Sequence, residues 1–539
     1  MKKNIATEKE IYGHPVGLFM LFFTEMWERF SYYGMKALLV LYLTAEVIGK
    51  NPGLGWTEKE ASGLYGWYTM LVYITPIIGG LIADRYFGSR KTILAGAILM
   101  TLGHLSLAFE AMPTFYLGLT LLILGNGAFK PNISSLVGQL YSDENESRKD
   151  AGYTIFYQGI NVGAFLGTLL CGYFGETYGW HYGFGLAGIF MLIGYLQFKL
   201  SQDMFGDLGK APKNPTIENS KPQDMFSDLG KAPKNLTKEN SKQKTKKTKE
   251  PLTKTEKDRL IVVGVLAFFS IFFWAAFEQA GASMNIFARD YTDRSLSGSG
   301  ITIFKIVSAV ISASPLLILT VMFFSMYKSV GNIYQNSMKF MALTVVILWG
   351  MIGFMIYDQF TAKDIEVPAT WFLTLNALFI FTLAPLFSKI WIGLSKTKLN
   401  PNGPQKFALG LILLGLGFIP LVVGASYVDI DSTYKASMIF LTLAYLIHTL
   451  GELCLSPVGL SYVNKLSPKR YLGVLFGIWF FASAIGNKAA GELSGYMKEI
   501  QANSSLSDFF NLLVYIPVIA GIILFALSFP LKKLMHGIK

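Results

Sequence analysis

Charged residues are scarce in this sequence. They make up 15% of its 539 residues, against about a quarter in an ordinary soluble domain. Its apolar residues come in blocks of about 20, the length that spans a bilayer core. These blocks lack the polar stripe of a surface helix, so a soluble globule is excluded. Cysteine is scarcer still. Cys171 and Cys454 each fall inside an apolar block, which excludes a disulfide framework and leaves both as packing residues. No GxSxG, HExxH or paired catalytic Asp motif falls in an apolar block, which excludes a membrane-embedded hydrolase. The chain is expected not to be an enzyme and to need no cofactor or metal. No cleavable signal peptide is visible. The polar start MKKNIATEKEIYGHP leads into an apolar run long enough to stay as an anchor.

Hydrophobic residues are abundant, at 52% of the chain with 42 Phe, and point to an all-α polytopic membrane protein. The expected spans are 16–43, 61–83, 92–111, 114–139, 151–176, 180–200, 259–283, 301–326, 338–357, 368–394, 405–427, 434–460, 470–494 and 509–532, fourteen in all. With the N-terminus inside, every second loop is basic. These loops hold Arg85, Arg90 and Lys91; Arg148 and Lys149; the long polar stretch after the sixth span; Lys328; Lys396, Lys398 and Lys406; Lys465, Lys469 and Arg470; and the tail KKLMHGIK. The loops between them, such as SYVDIDSTY and DQFTAKDIEV, are acidic or mixed. This is the positive-inside pattern, and an odd helix count would break it. It predicts a multi-pass protein of a cell membrane, of bacterial inner-membrane type, with both termini cytoplasmic. The net charge of +12 sits in one loop and at helix ends, so nucleic acid is not an expected partner.

Residues 201–258 read as a polar cytoplasmic linker. It contains a tandem repeat with a period of 21 residues: QDMFGDLGKAPKNPTIENSKP is followed at once by QDMFSDLGKAPKNLTKENSKQ, and then by Lys-rich KQKTKKTKEPLTKTEK. The composition is too polar to bury a core. A basic run near a bilayer also attracts acidic headgroups, so a regulatory or lipid-binding role stays open beside that of a connector. The domain division that follows is 1–200, an N-terminal six-helix bundle; 201–258, the linker; 259–300, a seventh core helix; 301–357, two additional helices; and 358–539, the rest of a C-terminal bundle.

The first span carries TEMWERFSYYGMK, with Glu25, Glu28, Arg29 and Lys36 near its middle. At about 100° per residue, these four and Tyr32 share an arc of about 100°. Each isolated charge at a bilayer centre costs about 2.5–3.5 kcal/mol, so they persist only if paired or facing water inside the protein. Glu25 and Arg29 are spaced to pair at i,i+4. Two readings stand: a buried ion-pair network that fixes packing, or a polar cavity. Lone charges deep in other spans favour the cavity: Lys130 in LGNGAFKPNISS, Glu278 in FFWAAFEQAG and Glu452 in HTLGELCLSP. A membrane cavity with both signs suits a zwitterion. Its carboxylates can also exchange protons, because burial and a nearby cation act oppositely on proton affinity. His104 and His448, alone in apolar runs, read as packing or hydrogen-bonding residues rather than proton relays.

EMWERFSYYG, Glu25 to Gly34, matches ExxERFxYYG, the signature of the proton-coupled oligopeptide transporters of the major facilitator superfamily. GGLIADRYFGSRKTI resembles the superfamily's loop between helices two and three. GNGAFKPNISSLVGQLY and FYQGINVGAF resemble the family's fourth and fifth helices. TLNALFIFTLAPLFSKIW, GELCLSPVGLSYVNKLSP and GIWFFASAIGN resemble its eighth, tenth and eleventh. The resemblance covers both halves apart from the linker and residues 290–365. It implies the major facilitator fold, two six-helix bundles around a cavity that opens to alternate sides, here with two extra helices. It also implies proton-driven symport of di- and tripeptides by a monomer in the lipid bilayer. The alternatives are another substrate, such as nitrate, a peptide-like drug or an amino acid derivative, and a non-transporting peptide sensor. By resemblance, Arg29 and Lys130 hold the peptide carboxylate and Glu452 its amino group. Asn161 and Asn376 bond the peptide backbone. Tyr33, Tyr73, Trp274, Trp479 and Ser483 line side-chain pockets, with Tyr68 a near neighbour of Tyr73. Glu25, Glu28 and Glu278 serve proton coupling, and Asp84 and Arg85 belong to the inner gate. Lys130–Glu452 and Lys36–Glu278 are expected to close the outer side.

The sequence departs from the family pattern in four places. Lys36 stands where Arg is usual, which keeps the charge and loses the bidentate fork. NALF replaces the usual Asn-Pro at Asn376. Lys488 charges a helix that is normally uncharged there, and nothing in the sequence accounts for it. The extra pair lies between the seventh and eighth core helices rather than between the sixth and seventh, and its lack of central charge predicts a peripheral position.

Overall fold

The computed structural model describes residues 5–109, 111–141, 146–211, 252–398, 400–455, 458–468 and 471–538. Lys469, Arg470, the second repeat copy and most of the Lys-rich run lie outside them. The architecture is helical. The membrane helices are α1 (Val16–Thr44), α2 (Glu58–Ile82), α3 (Gly88–Leu107), α4 (Met112–Gly138), α5 (Glu146–Thr177), α6 (Trp180–Leu200), α7 (Lys254–Phe277), α8 (Ser299–Val330), α9 (Gln335–Thr361), α10 (Trp371–Ser395), α11 (Gly403–Leu416, resumed as Ile419–Ile430), α12 (Met438–Leu455), α13 (Leu472–Gly495) and α14 (Leu506–Leu534). Twelve helical stretches among the described residues are long and apolar enough to cross a membrane. One of them, Glu58–Leu107, is α2 and α3 joined by the π-helical turn Ala83–Phe87. Four-charged α1 is not among the twelve, yet its 29 residues reach about 43 Å at 1.5 Å per residue. The architecture is thus compatible with fourteen spans.

Local sequence sets several helix starts. Thr57 and Glu60 form a capping box at α2, Thr253 and Glu256 at α7, and Asn402 and Gln405 at α11. In each, the first side chain accepts from the third helical N–H and the Glu or Gln returns the bond. Helix α7 does not run on to residue 283 as expected. It passes into a 3-10 turn at Glu278–Gly281, and a short helix follows at Ser283–Asp290.

α1–α6 pack as one bundle, and α7 with α10–α14 as a second. We call the end where α1 finishes the upper end. There the bundles are bolted together. Asn285 Nδ2 donates to Ala37 O at 2.8 Å, Arg289 Nη1 to Thr44 Oγ1 at 2.7 Å, and Lys498 pairs with Glu58 at 3.1 Å. Glu176 on α5 accepts from the backbone N–H groups of Ala369 and Thr370 at 2.8 and 2.9 Å, capping the start of α10 across the seam. α2 and α13 meet backbone to backbone: a Cβ on Gly66 would lie 3.1 Å from the Cα of Gly491. In the N-terminal bundle, a Cβ on Gly34 would strike the sulfur of Cys171 at 2.5 Å, so α1 and α5 close where the buried free thiol sits.

The extra helices α8 and α9 interrupt the C-terminal half in sequence but lie on the outside of the N-terminal bundle. Phe354 of α9 stacks on Phe174 of α5 at 6.2 Å, and Tyr173 donates to Asp358. Lys9 Nζ donates to Ser329 O at 2.6 Å, and Tyr12 OH lies 2.7 Å from Ser325 Oγ. Much of their remaining surface is exposed and apolar, including Ile306, Val310, Ile318 and Val346.

The linker reading needs one correction. Residues 202–211 do pack: Met204 and Phe205 are fully buried at the end of α6, and Arg90 of α3 and Gln139 after α4 bond the backbone of Gly206 and Gly209. Averaging the composition over the whole polar stretch hides these apolar residues.

Candidate functional site

Helix α1 organises the site. Its i,i+3 and i,i+4 spacing sets Glu25, Glu28, Arg29, Tyr32 and Lys36 on one side. The fold turns that side toward α2, α4 and α7. Arg29 Nε lies 3.1 Å from Glu25 Oε1 and also bonds Glu28. The Tyr32 ring stands 5.3 Å from the guanidinium carbon. Asn126 Nδ2 on α4 donates to Glu28 Oε1 at 3.0 Å. Both carboxylates thus share one cation, which is how three charges are held out of water. Arg29 Nη2 and Glu25 Oε2 are buried and make no hydrogen bond among the described residues. Such orphans are rare; here they leave one buried donor and one buried acceptor unpaired.

About 10 Å further up the helix, Lys36 Nζ lies 2.6 Å from Glu278 Oε2. Tyr65 OH donates to the same oxygen at 3.0 Å. The rings of Tyr65, Tyr33 and Tyr32 surround the ammonium at 5.6, 5.9 and 6.0 Å. The lost guanidinium fork is therefore replaced by a second donor from α2 and a cage of aromatic faces. This contact joins α1 to the turn after α7, hence one bundle to the other.

Lys130 and Glu452 do not meet. Lys130 Nζ lies 4.9 Å over the Tyr73 ring, and Glu452 accepts from Asn376 Nδ2 at 2.8 Å. Asn376 also reaches Thr449 Oγ1 at 3.2 Å. The expectation that this pair closes the same side as Lys36–Glu278 is corrected by position. Lys130 lies 18 residues below the start of α4 and Glu452 lies 14 below the start of α12, whereas Lys36 lies eight residues below the end of α1. A Lys130–Glu452 contact would form below the level of Lys36–Glu278.

Tyr73 is the tyrosine at the site, between Lys130 and Trp274, whose ring is 6.1 Å away. Tyr68 is buried beside Tyr32 at 6.5 Å. Tyr33, Tyr73, Lys130, Trp274, Asn376 and Glu452 are all half-buried, as a water-lined cavity requires. Both readings of the charged stripe therefore apply: an ion-pair network at Arg29, and a cavity around it. Asn161 and Ser483 bond within their own helices, to Tyr157 O and Trp479 O. Trp479 packs edge-on to Phe407. Asp84 and Arg85 lie in the π turn at the lower end, apart from this cluster, with Asp84 exposed. Lys488 gains an account: it pairs with Glu492 one turn on and lies 4.6 Å over the Trp67 ring of α2. His448 packs on Phe418 at 4.4 Å, and both ring nitrogens of buried His104 are without a partner among the described residues.

Three residues escaped the sequence reading: Tyr65, Asn126 and Thr449. A spacing rule would have found them. Asn126 is four residues before Lys130, Thr449 three before Glu452, and Tyr65 eight before Tyr73, each on the helix face of a residue already singled out.

Comparison with known proteins places this arrangement. The sequence pattern of PTR2, the POT family, matches residues 90–357 and 307–511. The chain is 31% identical to the peptide transporter YePEPT of Yersinia enterocolitica, over 99% of this chain and 98% of that one. It is 32% identical to the di-/tripeptide transporter of Lactococcus lactis subsp. cremoris over the full length of both. A crystal structure of a peptide transporter POT in complex with sulfate superposes with a TM-score of 0.75 at 30% identity, covering both chains entirely. A POT family transporter in complex with 5-aminolevulinic acid gives 0.75 at 25% identity, over 98% of this chain and 100% of that one. Motif, fold and full-length relatives agree, and this multi-pass membrane protein belongs to the POT family.

Proposed function

We propose that the protein is a proton-driven symporter that imports di- and tripeptides by alternating access, as a monomer in a bacterial inner membrane with both termini cytoplasmic. One observation carries the reading. The two bundles present opposite charges to the same space: Arg29 and Lys130 on one side, and Glu452, held by Asn376, on the other. A peptide has a carboxylate at one end and an amine at the other, and it neutralises both poles at once. Recognition through the termini leaves the side chains to Tyr33, Tyr73, Trp274, Trp479 and Ser483, and the backbone to Asn161 and Asn376.

The upper end, external by the positive-inside pattern, is closed through Lys36–Glu278 and the α2–α13 seam. The separation of Lys130 from Glu452 fits a cavity facing the cytoplasm, with Asp84 and Arg85 at its mouth. A proton arriving at Glu278 releases Lys36 and allows the upper end to part. Glu25 and Glu28, which share Arg29, exchange a proton when a peptide carboxylate takes over the cation. Peptide binding and proton uptake are then one exchange of partners at one guanidinium.

The test is uptake of labelled dialanine into proteoliposomes, with and without an inward proton gradient, for wild type and Glu452→Gln. Gradient-driven uptake is expected in the wild type and is lost in the variant, because the amide keeps the shape and removes the charge that faces the amine. Proton entry driven by other zwitterions but not by dialanine would overturn the substrate and keep the mechanism. Dialanine binding without uptake or proton flux would favour a sensor.

A further inference from the structure

The first eleven residues of the linker, QDMFGDLGKAP, are followed 21 positions later by QDMFSDLGKAP. The first copy is docked. Its residues 202–211 lie across the lower end of the N-terminal bundle in a site built for backbone. Arg90 at the start of α3 donates through Nη2 to Gln202 O at 2.6 Å, through Nη1 to Gly206 O at 2.9 Å, and through Nε to Gln202 Oε1 at 2.6 Å. Its own amide donates to Gly209 O at 3.0 Å. Gln139, at the end of α4, accepts from Gly209 N at 2.9 Å. Met204 and Phe205 are fully buried, with the Phe205 ring 5.9 Å from Phe198. A Cβ on Gly209 would lie 2.9 Å from Arg90 Cγ and 3.0 Å from Leu136. Gly88 leaves no room for a side chain beneath Lys210 and Ala211. The exposed positions are Asp203, Asp207, Lys210 and Ala211.

Every residue that this site reads in the first copy recurs in the second except one. Gln223, Met225, Phe226, Leu229 and Gly230 repeat Gln202, Met204, Phe205, Leu208 and Gly209. The exception is Gly206, replaced by Ser227. Gly206 has φ 53° and ψ −113°, a conformation outside the regions open to residues with a side chain. The site thus grips one copy and disfavours the other at a single backbone position.

We propose that the lower end of the N-terminal bundle carries a peptide-binding site, centred on Arg90 and Gln139, whose two alternative ligands are the chain's own residues 202–211 and 223–232. Exchange of copies moves the anchor by one repeat. The stretch from the anchor to Thr253 is 41 residues (212–252) with the first copy bound and 20 residues (233–252) with the second. A random coil of those lengths spans about 35 Å and 25 Å. The site lies directly after Asp84 and Arg85, so the bound copy also holds the start of α3 in place. Serine at the fifth position weakens binding about tenfold through backbone strain.

Hydrogen exchange read by mass spectrometry on the full-length protein in nanodiscs tests this. In the wild type, amides of 202–211 are expected to be protected and those of 223–232 not. In Phe205→Asp combined with Ser227→Gly, protection moves to 223–232, slowing exchange there about tenfold or more. In Arg90→Ala, neither copy is protected. Protection of α3 and α4 amides distinguishes an emptied site from an unfolded protein. If 223–232 stay unprotected in the double variant while α3 and α4 remain protected, the proposal fails. It also fails if both copies are protected together in the wild type, which would mean two sites, or if 202–211 stay protected in Arg90→Ala. As a check free of core substitutions, synthetic QDMFGDLGKAP should compete the wild-type segment out of the site about tenfold better than QDMFSDLGKAP; equal potency would refute the single-position discrimination.

Discussion

Lys36 brings a single ammonium to its contact between the two bundles. Its partner Glu278 is almost fully buried, and Tyr65 alone cannot neutralise that carboxylate. Removing one member of a buried pair costs about 3–5 kcal/mol. Here much of the cost falls on the closed state, because the pair spans the two bundles. Lys36→Ala is therefore expected to lower gradient-driven dialanine uptake about tenfold or more, while Lys36→Arg, which keeps the charge and restores the fork, stays near wild type. Proteoliposome uptake at matched protein density measures both. Equal loss in the two variants would mean that geometry rather than charge decides the contact. The same logic explains why Glu452 is tested as Gln: its neighbour Asn376 supplies a hydrogen bond but no charge.

Among the elements, α2 and α13 set how closely the bundles approach. Gly66 and Gly491 face one another there, and a Cβ on Gly491 would lie 2.6 Å from the Cα of Gly66. Gly491→Leu should hold the upper end apart. The expected result is uptake reduced about tenfold or more, with a cysteine placed at Tyr33 becoming reactive to an impermeant reagent added outside; unchanged labelling would show that closure does not depend on this seam. The elements themselves were largely legible in the sequence, because a span declares itself by length and apolarity and a capping box by its spacing. The charged stripe of α1 was legible for the same reason, since periodicity puts Glu25, Glu28, Arg29 and Lys36 on one side wherever the helix goes. Which partner each charge takes was not. Lys130 sits on Tyr73 and not on Glu452, a property of the conformation and not of either residue. The packing of Met204 and Phe205 was hidden for another reason: two apolar residues do not register against a long polar background until the fold seats them at the end of α6.

For the molecule as a whole, the extra pair α8–α9 breaks the equation of sequence half with structural half. It follows α7 in the chain, yet it packs mainly on α1, α5 and α6, with one stacked ring contact to α10, Phe304 on Trp371 at 5.7 Å. In a rocking motion of the two bundles it should travel with the N-terminal one. Spin labels on α9 and α6 are expected to keep one distance distribution with and without peptide and proton gradient, while labels on α9 and the lower half of α10 shift by several ångströms. A fixed α9–α10 distance with a changing α9–α6 distance would assign the pair to the other bundle. The placement also bears on biogenesis. A ribosome delivers residues 299–361 after α1–α6 and before the last five helices, so the pair meets a completed N-terminal bundle and can cover its flank while most of the C-terminal bundle is still unmade. A chain stopped after Thr361 would then hold a half-transporter already sheathed on one side, and the order of synthesis becomes an order of assembly.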